Sequence, residues 1–362
     1  MQEKKSKSAN KIPVLPFAML SVLLAAVIGV LAFVWLRFGT SLSQEEVPRT
    51  MDTYAMDAVV QQTVYGENAQ NALSEASKAV NELDALLSWR REDSDIAKVN
   101  HAGGNTPIQV DPRTMQVLQT ALEVAQQTNG AFDPTILPVS SLWDFDSELH
   151  EVPALETIQS FLPNIGYQNL SLDPAANTVT LAHADNAIDL GSIGKGAGCD
   201  VAIEAYQRTG AGYGIVAVGG SIGVYGQRPS GKPWVVSIQN PDVKEGDTAV
   251  LGSISLPSGF VSTSGTYMKT FEQDGVVYHH ILDPKTGLPV QSDLVSVTVA
   301  CQSGALSDAL STACLSLGIE KSLPLLEHYG ASAVFVDRNH QVTVTGALKD
   351  SFTLSAKGFS LT

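Results

Sequence analysis

The sequence predicts an α+β fold with a substantial mixed sheet and packed helices, preceded by one apolar N-terminal segment. Three observations carry this. Short β-branched runs recur along the chain, at 178–181, 214–218, 234–238, 295–300 and 333–336. Segments with helical spacing interrupt them and do not alternate with them regularly. The first uncharged, mainly apolar stretch, 12–36, is longer than the ~20 residues that cross a bilayer core.

The bulk composition bounds the problem. The chain has 362 residues, 44% of them hydrophobic and 16% charged, enough for a large buried core. The net charge of −15 excludes nucleic acid as a partner, since phosphate backbones need a basic face. Any phosphate bound here must meet one of the few lysines or a metal ion. Three cysteines, Cys199, Cys301 and Cys314, imply neither a disulfide framework nor a zinc site and read as small buried residues.

Residues 1–11 carry Lys4, Lys5, Lys7 and Lys11 against Glu3 alone. Such a flank favours the cytoplasmic side, so 12–36 is expected to be an uncleaved transmembrane anchor, with the body across the membrane. The expected division is a basic cytoplasmic tail (1–11), the anchor (12–36), a linker (37–48) and a single body (49–362).

Within the body, 51–64 reads as a strand and 68–89 as a helix with Ala72, Ala76, Ala79, Val80, Leu83, Leu86 and Leu87 inward. A second helix is expected over 112–128, stopped by Asn129-Gly130. Further helices are expected at 197–209 and 307–317.

Four motifs carry chemistry. Gly130-Ala131-Phe132-Asp133-Pro134-Thr135 is either a plain turn or a carboxylate and ring that hold a ligand. Asp189-Leu190-Gly191-Ser192-Ile193-Gly194-Lys195-Gly196 offers backbone N–H groups and a lysine to an anion, though its spacing is not that of a P-loop. The glycines of Gly219-Gly220-Ser221 suit either that purpose or close strand packing. His279-His280-Ile281-Leu282-Asp283-Pro284-Lys285-Thr286-Gly287 is dense in reactive groups. His280 could be a general base, Asp283 could orient it or bind metal, and Lys285 could face a phosphate. Asp308 and Thr312, four apart on a helix, share a face and are hard oxygen donors suited to Mg²⁺.

Taken in order, these stretches resemble the ApbE family of FAD:protein FMN transferases. The resemblance runs from about Met51 to about Gly318. It adds Met51-Asp52-Thr53, Ser94-Asp95-Ile96 with Asn100, Asp200, and Thr263-Ser264-Gly265 to the motifs above. It implies a T-fold-like body that binds FAD as substrate and uses Mg²⁺ to break its pyrophosphate. FMN would pass to a Thr or Ser hydroxyl of a partner protein, and AMP would leave. By motif position the metal ligands would be the Ser192 carbonyl, Asp308 and Thr312. FAD contacts would involve Met51, Ala131, Phe132, Asp133, Asp189, Lys195 and Ile281, and His280 would be the catalytic base. The implied acceptor is a flavoprotein subunit of a membrane electron-transfer complex, such as a sodium-translocating NADH:quinone reductase or an Rnf-type complex. The anchor then implies the bacterial inner membrane, with the catalytic body on the periplasmic side. Ser221 and Ala197 depart from the family's common Asp and aromatic at those places. An FAD pyrophosphatase and a non-catalytic flavin-binding assembly factor are the alternatives.

Overall fold

The computed structural model describes residues 47–145, 147, 150–243 and 249–362, and Val47–Thr362 form one compact unit. Nine strands make the central sheet, and their spatial order is their chain order. They are β1 (Arg49–Ala55), β2 (Ala58–Tyr65), β3 (Tyr213–Val218), β4 (Ser221–Tyr225), β5 (Gly259–Gly265), β6 (Leu294–Cys301), β7 (Ser332–Asp337), β8 (Gln341–Val344) and β9 (Ser360–Leu361). All neighbours pair antiparallel except β8 with β9, which run parallel, so the sheet is mixed as expected. The helices are α1 (Ala69–Leu87), α2 (Asp95–His101), α3 (Pro112–Gln127), α4 (Leu137–Trp143), α5 (Leu155–Phe161), α6 (Gly194–Thr209), α7 (Gly304–Leu317) and α8 (Ile319–His328).

Strand alternation shows why several strands read as continuous apolar runs. In β7, Ala333 and Phe335 join the helix-covered core, while Val334 and Val336 face a second layer. In β6, Val297 and Val299 point one way and Ala300 the other. The second layer is a three-stranded sheet, Trp234–Gln239, Val250–Leu256 and Phe352–Leu354. With both faces buried, polar alternation has nothing to serve.

The expected strand over 51–64 is two strands. Met56 and Asp57 turn the chain with φ of 56° and 54°, which closes a hairpin between β1 and β2. Periodicity cannot see such a turn, because neither residue is a glycine.

The helix expected over 12–36 lies, with all of 1–46, outside the described residues. Among the described residues no helix is long and apolar enough to cross a membrane. The longest, α1, carries Glu75, Lys78, Glu82 and Asp84 within its 19 residues. The architecture is therefore corrected to what the described residues show, an α+β body in which no helix spans a membrane. The single-pass, inner-membrane localisation that rested on that helix is withdrawn with it.

Two helix contacts position the site. Gly196 and Gly304 bring the backbones of α6 and α7 together; a Cβ on either would collide with the other's carbonyl oxygen. Asp200, on α6, accepts from Gly304 N (2.7 Å), Ala305 N (2.8 Å) and Ser303 Oγ (3.3 Å), so one helix caps the next. Burial pushes this carboxyl up to about 6, against the pull of those three donors.

Gly196→Ala is expected to lower the free energy of unfolding by about 1–3 kcal/mol, the usual range for overpacking. Gly194→Ala, where an added Cβ meets nothing within 4 Å, should be neutral or stabilising by about 0.4–1 kcal/mol. Urea unfolding of the pair checks this, and equal effects would mean the crossing is not tight.

Candidate active site

A cavity of about 810 Å³ opens between α6, α7 and the loops above the sheet, at the upper end of the ~300–1,000 Å³ usual for ligand pockets. Its wall includes Ala131, Phe132, Asp133, Asp189, Ser192, Lys195, His280, Ile281, Asp308 and Thr312. Ten of the eleven residues singled out from the sequence thus meet in one place, although they are spread from Ala131 to Thr312 along the chain.

Met51 is the exception. It does not line the cavity; its sulfur accepts from Ser77 Oγ (3.2 Å) and packs on the core between α1 and the sheet. Met56 lines the cavity instead, its sulfur packed where a Cβ on Gly198 would stand 2.9 Å away. The sequence holds a signal for it: Met56-Asp57 repeats the Met51-Asp52 pair five residues on, at a turn. Ser88, Trp89 and Arg90, which follow α1, also line the wall and were missed. Arg90 stacks on Trp89 at 4.2 Å and lies 3.8 Å from the Asp57 carboxylate. A helix-to-loop exit has no periodic pattern to reveal it.

The carboxylates divide by role. Asp133 is spent on its own turn: Oδ1 accepts from Thr135 N and Oγ1 (2.9 and 2.7 Å) and Oδ2 from Tyr167 N (2.8 Å). Burial nevertheless pushes its pKa up. Asp189 Oδ1 accepts from Gly191 N (2.8 Å), which shapes the turn into α6, and burial raises this group too. Asp308 is buried, and its Oδ2 accepts from Gly196 N (2.9 Å). Lys195 Nζ donates to Gly191 O (3.0 Å), which bends the side chain back over the same turn.

A chain of hydroxyls fixes the direction of Thr312. Ser311 Oγ donates to the Asp308 carbonyl (2.8 Å), which can only accept. Ser311 has one proton, so Ser264 donates in their 2.7 Å contact. Ser264 is then also spent, and Thr312 donates in its 3.0 Å contact with Ser264. The Thr312 oxygen is left with lone pairs and no proton to offer the cavity.

His280 Nδ1 lies 3.0 Å from the Met268 carbonyl, so Nδ1 carries the proton and Nε2 the lone pair. Burial first, and then the charge of Lys195, push its pKa down to about 4. The ring is neutral and able to accept a proton. Asp283 does not orient it: its Oδ1 accepts from Lys285 N (2.9 Å) within the Asp-Pro turn. Lys285 is exposed and outside the cavity wall, unlike Pro284. Ser221 is also elsewhere, buried and accepting from Ser262 Oγ (3.0 Å), while Gly219 and Gly220 form the wall. Ala197 is buried in the core.

Among the described residues no group of three or more His, Cys, Asp or Glu side chains could hold a metal ion by itself. The cavity wall is nonetheless acidic: Asp57, Asp84, Asp133, Asp144, Asp189 and Asp308 outnumber Arg90, Lys195 and Lys269.

Known proteins resemble this chain in sequence and in fold. The sequence model of the ApbE family matches residues 56–335. An FAD:protein FMN transferase of Treponema pallidum is 32% identical over 293 residues, covering 77% of this chain and 80% of that protein. One from Vibrio cholerae is 32% identical over 257 residues, covering 70% and 75%. The crystal structure of an ApbE protein from Thermotoga maritima superposes with a TM-score of 0.74 at 29% identity, covering 85% of this chain and 97% of that one. The flavin transferase ApbE from Vibrio cholerae gives 0.73 at 26%, covering 86% and 98%.

The depressed His280 pKa sets a pH dependence. A base that stays neutral down to about 4 keeps kcat/KM level from pH 7 to near 5, with the fall below that. An acid limb centred at the ordinary imidazole value of ~6.5 would remove the geometric account of this ring. Because the folded pKa lies below the unfolded one, this histidine also costs stability as pH falls through that window.

Proposed function

The chain belongs to the ApbE family, and from that premise we propose how its cavity works: it holds FAD and delivers the FMN portion to a hydroxyl of a partner protein. The enzyme is an FAD:protein FMN transferase. The observation that carries the site assignment is the meeting of Asp308, Thr312, Ser192, Lys195 and a neutral His280 in one cavity.

The acidic wall explains why a divalent cation is needed. A pyrophosphate brought among six aspartates is repelled unless positive charge accompanies it, and Arg90, Lys195 and Lys269 are only half as many as the carboxylates. The residues fit Mg²⁺. The Asp308 carboxylate, the Thr312 lone pairs turned outward by Ser264, and the Ser192 carbonyl are hard oxygen donors, and Mg²⁺ favours few protein oxygens plus substrate phosphates. When bound, Mg²⁺ would neutralise the pyrophosphate and the charge that develops on the departing AMP.

The chain's own groups do the rest. Met56, Phe132 and Ile281 offer apolar surface to a flavin or adenine ring, and Ala131 leaves room beside them. Lys195 draws the phosphates toward the turn at Gly191. His280 Nε2 takes the proton of the acceptor hydroxyl as its oxygen bonds to the FMN-side phosphorus. The bond from that phosphorus to the AMP oxygen breaks, and AMP leaves with the electron pair. The finer identity of the acceptor rests on the resemblance alone: a flavoprotein subunit of an electron-transfer complex of the sodium-translocating NADH:quinone reductase or Rnf type. An FAD pyrophosphatase would use the same groups with water in place of the hydroxyl, and mass spectrometry of the acceptor separates the two.

Incubation of the body with FAD should release AMP only with Mg²⁺ present. Asp308→Ala should abolish that release while the protein still folds; undiminished Mg²⁺-dependent turnover would sink the metal assignment. His280→Ala should slow transfer by about 10²–10⁴-fold and change FAD affinity far less. Equal losses in both would make His280 a binding residue. Ser264→Ala should weaken Mg²⁺ or Mn²⁺ binding to the FAD-free protein by about tenfold, the lower end for an outer-shell partner, and Ser264→Thr should restore it. Unchanged affinity in the alanine variant would remove the hydroxyl chain from the metal site.

A further inference from the structure

Beside the cavity mouth stands a small lobe with a core of its own. It is built from α4, α5, the hairpin Thr270–Gln273 and Val276–His279, and the Asp283–Gly287 turn. Val139, Trp143, Ile158, Phe271 and Leu282 fill its centre, separate from the cores that flank the main sheet. Trp143 Nε1 donates to Gly287 O (2.8 Å), which ties α4 to the turn. Gly287 has φ 69°, and a Cβ there would stand 2.5 Å from Ile158, so α5 closes directly over it. The hairpin pairs only with itself and rests on Trp143 and Phe145 through Phe271 and Tyr278.

The outer side of this lobe is unusually apolar. Of the thirteen large hydrophobic residues exposed among the described residues, six belong to it or border it: Leu155, Phe161, Met268, Val276, Val277 and Leu288. Val276 and Val277 are 50% and 59% exposed. None of the six except Met268 lines the cavity. Their clustering is not a requirement of the fold, because a two-stranded ribbon buries one face and is free to be polar on the other. The lobe also carries the base. His280 follows the hairpin directly, and its Nδ1 is held by the carbonyl of Met268, just before the hairpin begins.

We propose that the outer face of this lobe is the docking surface for the acceptor protein. The inference rests on the transferase reading: a hydroxyl on a folded partner must reach His280, so the partner has to cover the surface around it. The apolar residues flank His280 on both sides in sequence, Val276 and Val277 before it and Leu288 after it. A partner seated there would have its hydroxyl at the cavity mouth and would shield the proton transfer from water.

The test uses the whole enzyme with two acceptors: the purified flavoprotein subunit of a sodium-translocating NADH:quinone reductase, and a short peptide centred on its acceptor threonine. Val277→Asp is expected to raise KM for the protein acceptor at least tenfold. It should leave FAD affinity, acceptor-independent AMP release and the rate on the peptide within twofold of wild type. Leu288→Ser lies outside the ribbon, cannot unfold it, and should act the same way more weakly. Unchanged KM for the protein in both variants, or an equal loss on protein and peptide, overturns the docking surface. If the wild-type enzyme releases AMP yet labels neither acceptor, the transferase reading fails first and the docking surface falls with it.

Discussion

The site depends on one contact, the backbone of Gly196 against that of Gly304. Where α6 and α7 meet without side chains between them, the Asp308 carboxylate comes within 2.9 Å of Gly196 N. The same crossing sets the turn of Gly191, Ser192 and Lys195 opposite the Asp308–Thr312 face. Asp200 strengthens the crossing by capping α7 from α6. That bond costs something, since burial works against the charge of Asp200 and several donors are needed to hold it. Any wider spacing would open the gap between the carboxylate and the turn, and the two halves of the proposed metal site would no longer face one another.

Electrostatics then selects the chemistry. A wall with six aspartates is a poor place for a dinucleotide alone and a good one for a dinucleotide with its cation. Asp133 and Asp189 are largely committed to backbone donors, so their charge shapes turns more than it meets ligand. Asp308 keeps one oxygen on Gly196 N and presents the group to the cavity. The proposed arrangement would answer the constraint visible in the net charge of −15: a strongly acidic chain could handle phosphate where a metal and a lysine share one turn.

Much of this was legible in the sequence, and the exceptions have physical causes. The helices over 69–87 and 112–127 and the strands from 178 to 336 follow from apolar spacing, and ten of the eleven residues that the ordered motifs single out line one cavity. The β1–β2 turn was not legible, because Met56 and Asp57 adopt positive φ without a glycine to announce it; the methionine that lines the cavity is Met56, five residues beyond Met51. The role of Ser264 was invisible for a different reason. A serine in a strand is unremarkable until the strand is paired and helix α7 is laid across it, after which proton counting assigns its direction. Short elements such as α4, α5 and the 270–279 hairpin are likewise set by tertiary contact and not by their own periodicity.

The two reactants meet different kinds of structure. The side that would hold FAD and metal is built on long helices and the central sheet, where a displacement of one backbone must move another. His280 comes instead from the lobe with its separate core, where it meets the Met268 carbonyl and the edge of Phe145. A base placed on such an element can move with that element while the phosphate site stays fixed. Burial already keeps the ring neutral, so closure of a partner over the lobe need not create the base; it has only to bring the hydroxyl to Nε2. The groups proposed to hold FAD and the group proposed to take the acceptor's proton therefore sit on different parts of the fold.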